Sequence, residues 1–579
     1  MAERKQTMLT ELYTVQGQRI GDMPWQAYPR PQMKRENWIN LNGKWEFTTT
    51  QDEKLPHTYD QTILVPFCPE SLLSGVKKHF PDGCSLFYRR KLNLPKDLKT
   101  DRILLHFGAV DQYAEVFVNG KLAGSHLGGY EAFTLDITDY LQEGENRLTV
   151  RAVDDLRSKV QPYGKQTLNR GGMWYTPVSG IWQTVWMERV PSRYIQKLDI
   201  RADTEKAVIT VIPAMDGNVL LQGKAYPLKD GKAEITVKVP HLWSPEDPYL
   251  YQFAVETEQD RVESYFALRS LEIQEVGGYQ RLCLNGKPYF FHGLLDQGYW
   301  SDGIYTPADP QGFQRDIFAM KALGFNTLRK HIKVEPEQFY YDCDRWGMIV
   351  FQDMVNNGDY SFFRDTALPT VGIQKRSDKK LHRDAQTRKA FIDGMTAAVE
   401  QLKNHPCVCC WTIFNEGWGQ FDADDMYDRL LALDDSRFID ATSGWFRRNK
   451  SDVESLHIYF GSWGKLKAGK RPLVLSEFGG YCYGVKDHLF NPEKAYGYKA
   501  CKSLTDFNRD LQKLYKEKIL PAAEKGLCAA IYTQVSDVED EINGLMTYDR
   551  KACKADGDEM RTIAMRLQAA VQKGKDEKK

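Results

Sequence analysis

The chain has 579 residues, too many for one hydrophobic core, because cores stop growing at about 250–300 residues; at ~150 residues per domain it divides into about four units. Lysine plus arginine number 78 and so do aspartate plus glutamate, so the formal charge is zero and nothing steers the protein towards nucleic acid or an anionic membrane.

At the start, MAERKQTMLTELYTVQG lacks the apolar stretch of a signal peptide, and no run anywhere approaches ~18 apolar residues. The expectation is a cytoplasmic protein. From about residue 36 to 192, short β-like runs (KWEF, TILV, LFYRRKLNL, RILLHFG, AEVFVNGKLAG, RLTVRAV, TVWMERV) alternate with turn signals, and Asn119-Gly120 between apolar runs marks a hairpin. This predicts a jelly-roll β-sandwich for 1–192. About seven short strands follow over 193–275, the size of an immunoglobulin-like sandwich. Within it LWSPEDPYLY (242–251), with two prolines, reads as an ordered loop entering an edge strand.

After about 276 the rhythm changes. Eight short apolar runs (FFHGLLD, FNTLRKH, MIVFQDM, VCCWTIFNE, FIDATSG, SLHIY, PLVLSEFGG, CAAIYTQ) are interleaved with helical stretches, the later ones at ~385–404, ~497–525 and ~557–572. A (β/α)₈ barrel over 276–579 fits better than an open doubly wound sheet, which would want a Gly-rich phosphate loop after its first strand. The Lys-rich tail 573–579 reads as a solvated, disordered end. Of the eleven cysteines, Cys407, Cys409, Cys410 and Cys528 sit in apolar runs and read as reduced core residues; Cys407-Val-Cys-Cys410 is not zinc spacing, since alternate strand residues face opposite ways.

Barrel active sites lie at the C-terminal ends of the strands. Run four ends in Asn415-Glu416, run seven in Glu477-Phe-Gly-Gly, run three in Asp353, run two in Arg329 and His331, run six in His457 and Tyr459, and run eight in Gln534 before the acidic SDVEDE. A carboxylate ending an apolar strand needs partners, because desolvating it is costly. Two such glutamates are what glycosidic cleavage requires, one to protonate the leaving oxygen and one to attack. On the residues alone Asp296, Asp353, Glu416, Glu477 and Asp537 all stay in contention.

The order of domains, with NWINLNGKWEF (37–47), VPFCPESLLSG (65–75), FYRRKL (87–92), VFVNGKLAGSHLGGYEAF (116–133), SGIWQTVWME (179–188), LNGKPYFFHG (284–293), ALGFNTLRKH (322–331), WGMIVFQDM (346–354), WTIFNEGWGQF (411–421), SLHIY (455–459) and LSEFGG (475–480), resembles glycoside hydrolase family 2. The resemblance implies Glu416 as acid/base, Glu477 as nucleophile, Asn415 on the sugar's 2-hydroxyl, and retention through a covalent glycosyl-enzyme. It implies Arg329 beneath the nucleophile and His331 as an active-site histidine, although Arg-Lys-His is one residue shorter than the commoner Arg-x-x-His. His457 and Tyr459 are pocket candidates, Asp353 and Gln534 sugar-hydroxyl candidates, and Trp411, Trp418 and Trp445 candidate stacking platforms. No metal is required; some β-galactosidases of the family use magnesium, but no dedicated ligand cluster is visible.

For the substrate, the glucuronidase branch's Asn-x-Lys motif reads Asn543-Gly-Leu545 here, and Arg447-Arg448 reads as a solvated loop. The expectation places β-galactosidase first, with a uronidase (glucuronidase or galacturonidase) or arabinosidase behind it. Rivals of another kind are a non-catalytic carbohydrate-binding protein and a transglycosylase. The partner is a β-linked glycoside or oligosaccharide; the β domains support the barrel and any homo-oligomer, and the long loop 355–385 is a lid or rim for the aglycone.

Overall fold

The computed structural model describes residues 9–93, 101–370, 373, 377–461 and 463–572; the lysine-rich tail, expected to be disordered, lies outside the described residues. In the first domain two antiparallel sheets pack face to face, one of four strands ordered 38–40, 185–190, 102–107, 133–136 and one of six ordered 61–65, 43–50, 85–93, 145–153, 113–118, 121–127. The alternation along YAEVFV turns Ala114, Val116 and Val118 inward and leaves the residues between them half-buried, as a one-face-buried strand demands. The expected hairpin is present, with Asn119 and Gly120 both at positive φ (52° and 79°), the backbone that matches strand twist in a two-residue loop.

The second domain has the seven strands expected, as a three-stranded and a four-stranded sheet between 197 and 266. One expectation fails here. The strand after LWSPEDPYLY, Tyr251–Thr257, is central rather than an edge, lying between 217–221 and 261–266. Both prolines end before it, so no ladder donor is missing. Trp243 in that loop is fully buried and donates from Nε1 to the Asp344 carbonyl at 2.7 Å, pinning the domain to the barrel.

All eight barrel strands form where the apolar runs lie: β1 Phe291–Asp296, β2 Thr327–Lys330, β3 Ile349–Asp353, β4 Val408–Asn415, β5 Phe438–Ser443, β6 Glu454–Ile458, β7 Leu473–Gly479 and β8 Leu527–Thr533. They are parallel in the order β5-β4-β3-β2-β1-β8-β7-β6. Helices at the core face bury their sequences as unbroken hydrophobic stretches, which is why the strands show no alternation. Between β5 and β6 the described residues show no strand ladder; side chains close the seam, Ser443 Oγ lying 3.4 Å from Ser455 Oγ and 2.9 Å from Ser476 Oγ.

The helix expected from ~497 begins only at Leu504. Ser503 caps it, its Oγ accepting from the Asp506 amide at 3.0 Å, while Lys499–Ala500 run extended beside Tyr481–Cys482. The segment before residue 36 lies on the barrel, where Thr14 donates twice to Asp302 (2.8 and 2.6 Å) and Trp25 Nε1 donates to the Pro307 carbonyl. Cys407, Cys409, Cys410 and Cys528 are buried and free. Among the described residues no helix is long and apolar enough to cross a membrane.

Candidate active site

The C-terminal ends of β2, β3, β4, β6 and β7 bring their side chains together around Arg329. Its Nε donates to Asp353 Oδ1 (2.9 Å), Nη1 to Glu477 Oε1 (2.9 Å) and the Ser476 carbonyl (3.0 Å), and Nη2 to Asn415 Oδ1 (2.9 Å). Arg329 is 1% exposed, so these charge-assisted bonds work without water competing for them. With Oδ1 of Asn415 held this way, its amide nitrogen is the group turned towards a ligand.

Glu477 is buried, which by itself raises a carboxyl pKa. That penalty is outweighed by the pull of His457 and Arg329, and its pKa falls to about 2. Tyr459 adds a hydroxyl donated to Glu477 Oε2 at 2.5 Å, and its ring stacks on Tyr498 with centroids 3.7 Å apart. Asp353 is likewise buried and is nevertheless lowered, by Arg329 and by His331, whose Nδ1 lies 2.6 Å from Asp353 Oδ2. Burial pushes the His331 imidazole pKa down. The shortened Arg-Lys-His spacing therefore still delivers His331 to the site, but onto Asp353. Both Asp353 oxygens are engaged by these two side chains, so the residue braces the arginine and histidine.

Glu416 ends β4 at φ +52°, followed by Gly417 at +73°, where a Cβ would stand 2.2 Å from the Phe446 ring; only glycine allows this turn. The turn swings the Glu416 carboxylate over the barrel mouth, its side chain 14% exposed against 6% for Glu477. His457 Nδ1 lies 2.8 Å from Glu416 Oε1 and 3.6 Å from Glu477 Oε2, so the histidine stands between the two acids. One oxygen of each glutamate and a His457 nitrogen lie within 4.8 Å of one another. Among the described residues this is the group that can ligate a metal, but an ion there would fill the space between the acids that a reacting carbon needs.

Other acids and cations resolve into structure. Asp296 pairs with Lys330 (2.6 Å) and Asp537 with Lys554 (2.6 Å). Arg447 pairs with Glu454 and Arg448 with Asp378. Trp411 donates from Nε1 to Asp434 (2.9 Å) on the outer side of its strand, so it is no stacking platform. Trp418 packs among Tyr163, Trp174 and Tyr360. Trp445 lies edge-on to His457 at 5.5 Å, and Gln534 donates from Nε2 to Asn543 Oδ1 (2.8 Å); among the described residues the buried Trp445 Nε1 and Gln534 Oε1 have no partner.

The sequence reading missed the opposite wall of the pocket. There Tyr175 of the first domain donates to Glu541 Oε2 at 2.5 Å, Asn543 Nδ2 donates to Glu541 Oε1 at 2.8 Å, and Lys165 lies close by. The acidic SDVEDE and Asn543 stand out in the sequence, but Tyr175 and Lys165 do not, since Tyr175 meets Glu541 across 366 residues.

A family model for the TIM barrel domain of glycosyl hydrolases family 2 matches residues 275–561; the family's sugar binding domain matches 74–191 and its middle domain 194–269. The chain belongs to glycosyl hydrolase family 2. Among curated relatives it is 23% identical over 461 residues to a putative beta-glucuronidase of Formosa agariphila, covering 71% of this chain and 50% of that one. It is 24% identical over 441 residues to a beta-galactosidase of Thermoanaerobacter pseudethanolicus, covering 69% and 55%. The chain thus spans about half the length of these relatives. The solved β-glucuronidase of Ruminococcus gnavus in complex with D-glucuronic acid shares the fold, with a TM-score of 0.72 at 17% identity over 93% of this family 2 chain and all of that one.

Proposed function

We propose that the protein is a retaining exo-β-glycosidase acting on β-hexuronides. The observation that supports the retaining mechanism is that an oxygen of Glu416 and an oxygen of Glu477 lie within 4.8 Å of each other, with His457 between them. Retaining enzymes place their two carboxyl groups about 5–5.5 Å apart, whereas inverting ones leave about 6.5–9.5 Å for a water. Glu477, kept ionised, attacks the anomeric carbon while Glu416 protonates the departing glycosidic oxygen; a glycosyl ester on Glu477 results. Glu416, now a carboxylate, takes a proton from water, which attacks the anomeric carbon, breaks its bond to the Glu477 oxygen, releases the β-sugar and restores both acids. The free amide nitrogen of Asn415 donates to the 2-hydroxyl, and Arg329 and Tyr459 steady the nucleophile.

For the glycone, the β-galactoside reading ranked first on the sequence yields to the hexuronide. Curated relatives carry both names, but similar solved structures are β-glucuronidases and a β-galacturonidase. Around the rim, Tyr360 of loop 355–385 packs against Trp174 at 4.9 Å while Phe362 and Phe363 stay exposed, a surface suited to an apolar aglycone. The test is a panel of p-nitrophenyl β-glucuronide, β-galacturonide, β-galactoside, β-glucoside and α-L-arabinoside, with the first-formed sugar read by NMR. Release of a β-configured hexuronic acid that disappears in Glu477→Ala is expected. Release of galactose alone would return the first ranking; longer glycans would indicate a transglycosylase, and no product a carbohydrate-binding protein.

A further inference from the structure

The loop 163–178 of the first domain is laid across the barrel mouth and fastened on several sides. Tyr163 and Gly164 donate their amides to the Asn356 carbonyl after β3, and the Tyr163 hydroxyl donates to the Gly358 carbonyl at 2.8 Å. After β8, Tyr175 and Thr176 reach Glu541 and Glu539. Gly164, at φ +63°, passes so close to the barrel that a Cβ would stand 2.9 Å from the Ile332 carbonyl, next to His331. Whatever residue follows Gly164 is held at the edge of the pocket. That residue is Lys165.

Lys165 is 8% exposed, yet its Nζ has no hydrogen bond or ion pair among the described residues; it lies over the Trp174 ring, 5.5 Å from the centroid. The other cations of this region are taken. Arg329 is engaged by Asp353, Glu477 and Asn415, and Lys333 by Glu335 and the Gly298 and Tyr305 carbonyls. Arg170 holds Asp540, and Arg447 and Arg448 have their own acids. Glu541 stands near Lys165, but its two oxygens already accept from Tyr175 and Asn543. The ammonium's charge reaches into the pocket, since it bears on both His331 and Glu541. An ammonium on a nearly buried side chain, with no partner among the described residues, is left for water or an anionic ligand to complete.

We infer that Lys165 is the specificity-determining cation of the glycone pocket, supplied by the first domain to pair with the carboxylate of a hexuronic acid. This rests on the hexuronide reading above. It also gives a physical route to an anionic sugar in a chain that has Leu545 where a lysine would be expected after β8. Trp174 beneath the ammonium excludes water from one side of the pair, which strengthens it.

The experiment compares kcat/KM for a p-nitrophenyl β-hexuronide with that for the matching β-hexoside, which has a hydroxymethyl in place of the carboxylate, in wild type, Lys165→Met and Lys165→Arg. Loss of a desolvated charge-assisted contact predicts that the hexuronide/hexoside ratio falls about 100-fold in Lys165→Met, and that Lys165→Arg recovers most of it. Hexuronate, but not hexose, is expected to raise the melting temperature of wild type, and neither that of Lys165→Met, a readout that also reports whether the variant is folded. Parallel loss on both substrates, or an unchanged ratio, overturns the role of Lys165 while leaving the hexuronide reading intact. Wild type that cleaves only hexosides overturns the reading itself, and the role of Lys165 with it.

Discussion

Two walls of the same pocket treat buried carboxylates in opposite ways. On the wall built from β2, β3 and β7, Asp353 and Glu477 are buried and yet acidic, Glu477 at about 2. On the wall after β8, Asp537, Glu539 and Glu541 are just as buried, and desolvation raises all three, Asp537 to about 6 despite its ion pair with Lys554. Depth is not the variable. The difference is Arg329, which serves two carboxylates at once through a planar fork, whereas Glu541 is held by a neutral phenol and an amide. Neutral donors satisfy a carboxyl without compelling it to ionise; the 2.9 Å bonds of Arg329 compel it, whereas the 3.4 Å contact of Arg170, which Asp540 shares, leaves Glu539 raised.

The comparison breaks most decisively at that arginine. Arg329→Met is expected to lower kcat/KM by about 10⁴-fold or more, since the nucleophile would lose its counter-charge. It should also destabilise the fold by about 3–5 kcal/mol in urea unfolding, because two buried acids are left uncompensated. A stable variant with only a tenfold loss would mean that His457 and Tyr459 suffice to keep Glu477 ionised. Next in size, Tyr459→Phe removes one donor to the nucleophile and should cost about 10²-fold in kcat, most visibly when the glycosyl-enzyme breaks down.

The walls should also separate along the pH axis. Glu477, depressed in the folded state, contributes stability that is present above its ordinary value near 4.5 and lost as pH falls from there towards about 2. Asp537, raised in the folded state, contributes stability present below its ordinary value near 3.8 and lost as pH rises through about 6. Urea midpoints between pH 3 and 8 should therefore lose their acid-side slope in Glu477→Gln and part of their neutral-side slope in Asp537→Asn. Identical profiles for both variants would erase the distinction drawn here. The smallest effect is expected for Glu541→Gln, less than about tenfold on kcat/KM, because a carboxyl already pushed towards neutrality is the one an amide imitates best.

The charged ends of β2, β3, β4 and β7 were legible in the sequence; how the wall opposite is assembled was not. Parallel strands covered by helices are continuous apolar runs, so a charged residue ending one stands out, and Arg329, Glu416 and Glu477 were found that way. Lys165 and Tyr175 carry no such mark, and Glu541 was visible only as the end of an acidic stretch. Tyr175 meets Glu541 across 366 residues of chain, a proximity that no spacing rule encodes. Periodicity also misled where local pattern ran past a boundary: the helical stretch from 497 yields to Ser503 as a cap, and the prolines of 245 and 248 describe their loop, not the strand after it. Trp411 shows the same limit, because strand alternation says that a side chain faces in or out but not which side holds the pocket.

The loop laid across the barrel mouth has a consequence for how the molecule fails. Its anchors to Asn356, Gly358, Glu539 and Glu541 are the same contacts that would finish the proposed glycone pocket. On the proposed activity, turnover becomes a readout of docking within one polypeptide: mild heating that loosens the first domain should extinguish it while the barrel's far-ultraviolet signal is still intact, and a severed barrel would keep its acids yet lose its sugar.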